Sequence, residues 1–199
     1  MSILAEESGP YTYADYAKWP EQFRCELING HVHFNGSLVS TVMSCPSFWH
    51  QYTSKLLFFQ IETFLQNKEC IALYAPFDVR LDPRDDDSDL TVVQPDIFVV
   101  CDKTKFSDGR CCKGPPDLII EILSQRNWAL DTEVKRELYE NAGVKEYLIV
   151  DRELVTQYFL ENGNYSSIIH RASSDSSQVL IPLVTFPLTL KHTMERSQP

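Results

Sequence analysis

Two acids stand in the chain where acids are expensive. Asp96 lies inside the run VVQPDIFVV (92–100) and Glu121 inside PPDLIIEILS (115–124). Near-continuous apolar runs of this kind mark strands buried on both faces of a sheet, and a carboxylate there loses its hydration unless a partner compensates. Sequential strands are usually neighbours, which would bring Asp96 and Glu121 to one point. Hard oxygens converging in this way suit Mg2+ or Mn2+. The alternative is that backbone amides or an arginine satisfy each acid separately.

Further candidates surround this pair in the sequence. Strand alternation puts Asp117, Ile119, Glu121 and Leu123 on one face. Glu26 lies on the first strand of CELINGHVHF, and Asp78 in PFDVRL either joins the acids or pairs with Arg80. Helical spacing aligns Asp131, Lys135, Leu138 and Ala142. His50, in the first turn of a helix, reads as a packed or surface histidine. His31 and His33 share a hairpin face, but no neighbouring Cys or His completes a transition-metal site. Asp85, Asp87 and Asp89 imitate a calcium loop, yet Leu90 stands where the turn glycine belongs, so DPRDDDSD reads as a solvated loop.

The elements that must position these residues follow from periodicity. A short helix starts at a Thr12 cap and ends by Pro20. Asn29-Gly30 makes a hairpin turn. Residues 44–67 form a long helix with Pro46 near its first turn and Trp49, Tyr52, Leu56 and Phe59 facing a sheet. Strands follow at CIALYAP, FDVRL, 92–100 and 115–124, the last two read as unbroken. A helix from Leu130 to Ala142 carries the stripe Leu130, Val134, Leu138 and ends at Gly143. Strands KEYLIVD, LVTQYFL and NYSSIIH come last, the final two joined at Glu161-Asn162-Gly163.

Composition fits one domain over residues 1–199, ordered from about 11 to 190, with a flexible tail after His192. No apolar run is long enough for a membrane span and the N-terminus lacks a secretory pattern, so the cytoplasm is the expected compartment. The six cysteines form no CxxC pair and read as reduced, structural thiols. A net charge of −10 opposes strong nonspecific binding to a phosphate backbone. The apolar C-terminal strands, with Tyr158, Phe159, Tyr165, Ile168 and Ile169, could supply a homodimer surface.

VVQPDIFVV, PPDLIIEILS and KRELYENAGVKEYLIVD, together with ELING, the Ser47–His50 segment and APFDVRL, resemble the Uma (Uma-two) family over roughly residues 11–190. This bacterial group is assigned to the PD-(D/E)xK restriction-endonuclease-like superfamily. The resemblance implies an α/β fold: a central mixed sheet flanked by helices, with antiparallel hairpin additions. It also implies that Asp96 and Glu121 ligate Mg2+ or Mn2+, helped by the Ile122 carbonyl and by Asp78 if it joins them. Glu26 would bind a second metal or orient a water. Leu123 departs from the pattern, which wants lysine there. Lys135 is the substitute, reaching back to the acids from the next helix, unless it only pairs with Asp131 on a solvated face.

The implied function is metal-dependent hydrolysis of phosphodiester bonds in nucleic acid, DNA more readily than RNA, with Asp96, Glu121, Lys135 and Glu26 as the catalytic set. A non-catalytic interaction or regulatory protein on the same fold is the alternative, favoured by Leu123 and the acidic surface. A third reading directs the metal site to a substrate other than long nucleic acid.

Overall fold

Asn29 and Gly30 take positive φ of 52° and 80°, as a two-residue hairpin turn requires. They join β1 (Cys25–Ile28) to β2 (His31–Phe34) in antiparallel register, with Glu26 opposite His33. The computed structural model describes residues 9–20, 24–34, 46–124, 130–171, 178–181 and 186–189; the tail after His192 and Cys45 lie outside them. The short helix α1 (Tyr13–Tyr16) starts at Thr12 as expected, with the Asp15 carboxylate accepting from the Thr12 amide at 3.0 Å.

The long helix α2 spans Phe48–Leu65, capped by the Ser47 hydroxyl, which accepts from the His50 amide. Its buried stripe is Trp49, Thr53, Leu57, Ile61 and Leu65. The expected stripe is therefore rotated: Tyr52 and Leu56 are only half-buried and Phe59 is 67% exposed. Apolar residues on several sides of this helix blur its period, and contact with the sheet selects one stripe.

Two larger sheets carry the fold. The first runs β2-β1-β5-β4-β7, with β4 (Val79–Arg80), β5 (Val92–Val93) and β7 (Cys112–Lys113). The second runs β11-β10-β9-β8-β6-β3, with β3 (Ile71–Tyr74), β6 (Ile97–Val100), β8 (Leu118–Ile122), β9 (Glu146–Val150), β10 (Leu154–Glu161) and β11 (Asn164–Arg171). It is mixed, since β8 and β9 are parallel and its other pairs antiparallel. One face packs Leu118, Ile120 and Ile122 on Leu57 and Ile61 of α2. The opposite face sets Ile119, Leu123, Tyr147 and Ile149 against Tyr139 and against Val79 and Val93 of the first sheet. A further hairpin, β12 (Gln178–Ile181) with β13 (Phe186–Thr189), adds Val179 and Leu188 to the α2 side; the sequence reading had no elements there.

The run 92–100 is not one strand. It breaks at Gln94-Pro95-Asp96, β5 lying in the first sheet and β6 in the second. Pro95 has no N–H to give a ladder, which makes it a natural place for the crossing. Helix α3 (Lys135–Ala142) follows a π-helical turn (Leu130–Val134) and ends at Gly143 with φ 87°. Its orientation corrects the sequence reading as well: Val134 is 41% exposed, while Asp131, Lys135 and Tyr139 are buried.

Three smaller expectations change. Cys70 and Cys101 form a disulfide rather than staying reduced; Ile71 faces Val100, which makes the two cysteines the next pair along the ladder. Cys25, Cys111 and Cys112 are free and buried. The loop DPRDDDSD is only partly solvated, because buried Asp89 accepts from Arg80 Nε at 2.9 Å and Asp87 pairs with the same guanidinium. Tyr158 and Tyr165, expected at a dimer surface, pack partly buried on the inner core, whereas Ile168 and Ile169 are exposed. Among the described residues no helix is long and apolar enough to cross a membrane.

Candidate active site

Strands β6 and β8 run antiparallel with Ile97 facing Ile120, so Asp96 and Glu121 are the next residues outward and do come together. Their environments differ. Asp96 sits at the crossing between sheets, its side chain 18% exposed, and its Oδ2 accepts from the Ile122 amide at 2.8 Å. His50 Nε2, reaching in from the first turn of α2, lies 3.1 Å from the same oxygen. The premise that Asp96 is enclosed on both faces therefore fails, because the chain changes sheet there.

Glu121 is buried. Its Oε1 accepts from Lys135 Nζ at 2.9 Å and from the Tyr139 hydroxyl at 2.8 Å, and its Oε2 lies 3.4 Å from the Asp96 amide. Glu26 arrives from the first sheet, with Oε1 3.0 Å from Lys135 Nζ and accepting from the Gln94 amide at 2.7 Å. Asp131 Oδ1 is 3.5 Å from the same ammonium. Lys135 thus stands buried among three carboxylates, which removes the alternative of a surface pair with Asp131 alone.

Burial drives the electrostatics. It pushes the Glu121 carboxyl well above the usual carboxylate range against the pull of Lys135, and lifts Asp131 to about 6. Lys135 is desolvated too, yet the charges of Glu121 and Glu26 outweigh that and hold its ammonium protonated. For His50 burial again works downward, but the hydrogen bond and charge of Asp96 raise its pKa overall.

A ring of outer contacts orients these groups. Asp78 accepts from the Tyr16 hydroxyl at 2.9 Å and from Gln94 Nε2 at 2.8 Å, so it touches the acids through Gln94 and is not the partner of Arg80. The Tyr147 hydroxyl donates to the Asp131 carbonyl at 2.8 Å. His33 faces Glu26 across the hairpin. Sequence reasoning missed His50, Asp131 and Tyr139 as members; the spacing 131, 135, 139 carried the signal for two of them, and the Ser47–His50 segment for the third.

The donor set fits a hard divalent cation. Four carboxylates, Glu26, Asp96, Glu121 and Asp131, face one lysine and one histidine, an excess of negative charge in a low-dielectric site. Glu26 Oε2 is buried with no hydrogen-bond partner among the described residues, a condition that an ion would relieve. As drawn by the ammonium, the acids are not already spaced as an ion cage: among the described residues no group of three or more His, Cys, Asp or Glu is arranged to hold a metal.

The model of the Uma2 family, described as "Putative restriction endonuclease", matches residues 13–194. A solved structure described as "a putative nuclease belonging to DUF820" from Anabaena variabilis superposes with a TM-score of 0.73 at 16% identity, covering 95% of this chain and 100% of that one. At that identity the shared property is the fold. The type IIG restriction endonuclease BpuSI aligns more loosely, with a TM-score of 0.40 and 10% identity over 80% of this chain and 18% of its own. No curated protein matches the chain.

Proposed function

Because the chain belongs to the Uma2 family of restriction-endonuclease-like proteins, we propose that it hydrolyses phosphodiester bonds in nucleic acid with the help of a divalent ion. The observation that carries this is the meeting of Asp96 and Glu121 beside a buried ammonium, Lys135. DNA rather than RNA as substrate rests on the family description alone.

Asp96 and Glu121, with the Ile122 carbonyl, would hold Mg2+ or Mn2+. When bound, such an ion supplies Lewis acidity, neutralising charge on the phosphate and easing deprotonation of the attacking water. The chain's own groups do the positioning. The Ile122 amide and His50 fix the Asp96 carboxylate, and Tyr139 fixes Glu121. Glu26, aligned by the Gln94 amide, would orient water with its second oxygen, which has no partner among the described residues. Lys135 takes the place of the lysine that Leu123 replaces, since Leu123 is committed to the core beside Tyr139; its ammonium would stabilise charge developing on the phosphate oxygens.

Cleavage of plasmid and oligonucleotide with Mg2+ or Mn2+ tests the proposal. Asp96→Ala and Glu121→Ala are expected to lose about a thousandfold in rate, equivalent to several kcal/mol. Equal activity in all three proteins would sink it. A homodimer paired through β11 belongs to the same reading, because Ile168 and Ile169 are exposed on an edge strand; sedimentation returning only monomer removes that part.

Leu123 also favours a second reading, a non-catalytic module in which Lys135 permanently neutralises the acids. Calorimetry separates the two. Mg2+ or Mn2+ binding that disappears in Glu121→Ala supports the enzyme, and no binding at millimolar ion supports the module.

A further inference from the structure

Gln94 donates on two sides of the crossing between the sheets. Its main-chain amide gives to Glu26 Oε1 at 2.7 Å, and its side-chain Nε2 gives to Asp78 Oδ1 at 2.8 Å. Neither Gln94 nor Pro95 lies in a strand, and proline has no N–H to offer. The placing of the segment that leads into Asp96 therefore depends on partners such as these.

Asp78 is itself a fixed post. It directly precedes β4, and its carbonyl accepts from the Cys112 amide of β7 at 2.8 Å. Its Oδ1 also accepts from the hydroxyl of Tyr16, on α1, at 2.9 Å, and that hydroxyl lies 3.3 Å from Gln94 Nε2, which closes a triangle of three side chains. Burial and the Asp78 charge push the Tyr16 hydroxyl far above the ordinary tyrosine range, so it stays protonated and donates. The same hydroxyl is 3.4 Å from the carbonyl of Cys25, the residue before Glu26. Tyr16 and Gln94 are neutral donors, so what they require of Asp78 is an acceptor held in place, and not a charge.

We infer that Asp78 is a positioning residue of the site: through Gln94 it fixes the crossing segment, and with it the carboxylates of Glu26 and Asp96. It acts through another side chain and not on an ion or a phosphate. This rests on the proposed hydrolysis for its catalytic consequence, and on geometry alone for the coupling of Asp78 to Glu26.

The Gln94 amide proton reports this coupling in the ion-free protein, because a short bond to a carboxylate draws its NMR resonance downfield. Asp78→Ala is expected to move that resonance upfield. Asp78→Asn, whose amide oxygen can accept from the same two donors, should keep it near the native position. In calorimetry Asp78→Ala should weaken Mg2+ or Mn2+ binding by about tenfold or more, the scale for losing an outer contact to a metal carboxylate, and Asp78→Asn by no more than about threefold. Tyr16→Phe removes one donor to Asp78 but leaves the Gln94 bond, so its shift should be the smaller. Should Asp78→Ala not fold, Gln94→Glu, which keeps the main-chain amide and sets an acceptor against Asp78, is expected to give the same upfield shift. An unmoved resonance in Asp78→Ala or Gln94→Glu overturns the inference. So does a loss in Asp78→Asn equal to that in Asp78→Ala, which would mean that the charge acts directly, or an equal shift in Tyr16→Phe, which would assign the effect to the docking of α1. Failures of the two readings are distinct. A native protein that neither binds ion nor cleaves, with the resonance moving as expected, refutes the hydrolysis alone, whereas metal-dependent cleavage with an unmoved resonance refutes the positioning role alone.

Discussion

Lys135 is the residue whose loss should be felt most. Its ammonium is shared by Glu26, Glu121 and Asp131, and removing one partner from a buried ionic cluster leaves charge uncompensated. Lys135→Met is expected to destabilise the fold by about 3–5 kcal/mol in chemical denaturation. Glu121→Gln should do the opposite: ionisation of that carboxyl is opposed by burial, so the variant is expected to melt at or above the native temperature while losing cleavage. A melting temperature several degrees lower would contradict the electrostatic account. Asp131 gives a pH signature. Its carboxyl is raised to about 6 in the fold, so the folded state binds the proton more tightly than the unfolded chain does. Its contribution is favourable below the ordinary carboxylate range and is lost as pH climbs through about 6, on the order of 2–3 kcal/mol. Millimolar Mg2+ should therefore raise the melting temperature more at pH 7 than at pH 5, measured by calorimetry. Asp96, Glu121, Glu26 and Lys135 were legible in the sequence through residue type and family pattern. His50 and Tyr139 were marked only by their positions, in the Ser47–His50 segment and in the spacing 131, 135, 139, because nothing in a helical stripe says which side chain will reach a neighbouring strand.

Among the elements, helix α2 separates what periodicity can tell from what packing decides. The helix itself was readable from Pro46 and its apolar content, yet its inward stripe is Leu57 and Ile61 rather than Leu56 and Phe59. Leu57→Ala is expected to cost about 2–5 kcal/mol in urea unfolding, and Phe59→Ala no more than about 0.5 kcal/mol. The reverse order would restore the register read from the sequence. Helix α3 misled for a related reason. Its apolar residues suggested one face, but the buried face is Asp131, Lys135 and Tyr139, because polar partners waiting on β1 and β8 outweigh the burial of Val134. Strand assignment at 92–100 failed at Pro95, where a chain that looks continuously apolar passes between two sheets.

On the scale of the whole molecule, the two sheets are laced by a chain that crosses repeatedly between them, and a covalent tie closes part of that path. Cys70–Cys101 spans a sequence separation of 31, enclosing β3, β4, β5 and β6, and with them Asp96. Closing a loop of that length is worth about 3–4 kcal/mol in the chain-entropy account. Cys70→Ser is expected to lower stability by that amount under oxidising conditions and to make it insensitive to reductant; a variant as stable as the native protein would show that the bond does not form in solution. Most of the strands follow from apolar runs that the sequence marks, whereas their order in the two sheets does not. The disulfide does not, since it depends on the facing of β3 and β6 and not on cysteine spacing.

The buried ammonium among the acids has one more consequence. A site that carries its own counter-charge has no need of an ion to fold, unlike small domains whose ligands repel one another until metal arrives. Lys135 holds Glu26, Glu121 and Asp131 together, and on the proposed reading it would keep them near the positions they use with the ion bound. On the proposed reading, the ion would then be taken up and released without unfolding, Lys135 staying beside the acids. Treatment with chelator should silence cleavage, leave circular dichroism unchanged and remove only the increment in melting temperature that the bound ion adds, and re-adding the ion should restore activity within the time of mixing.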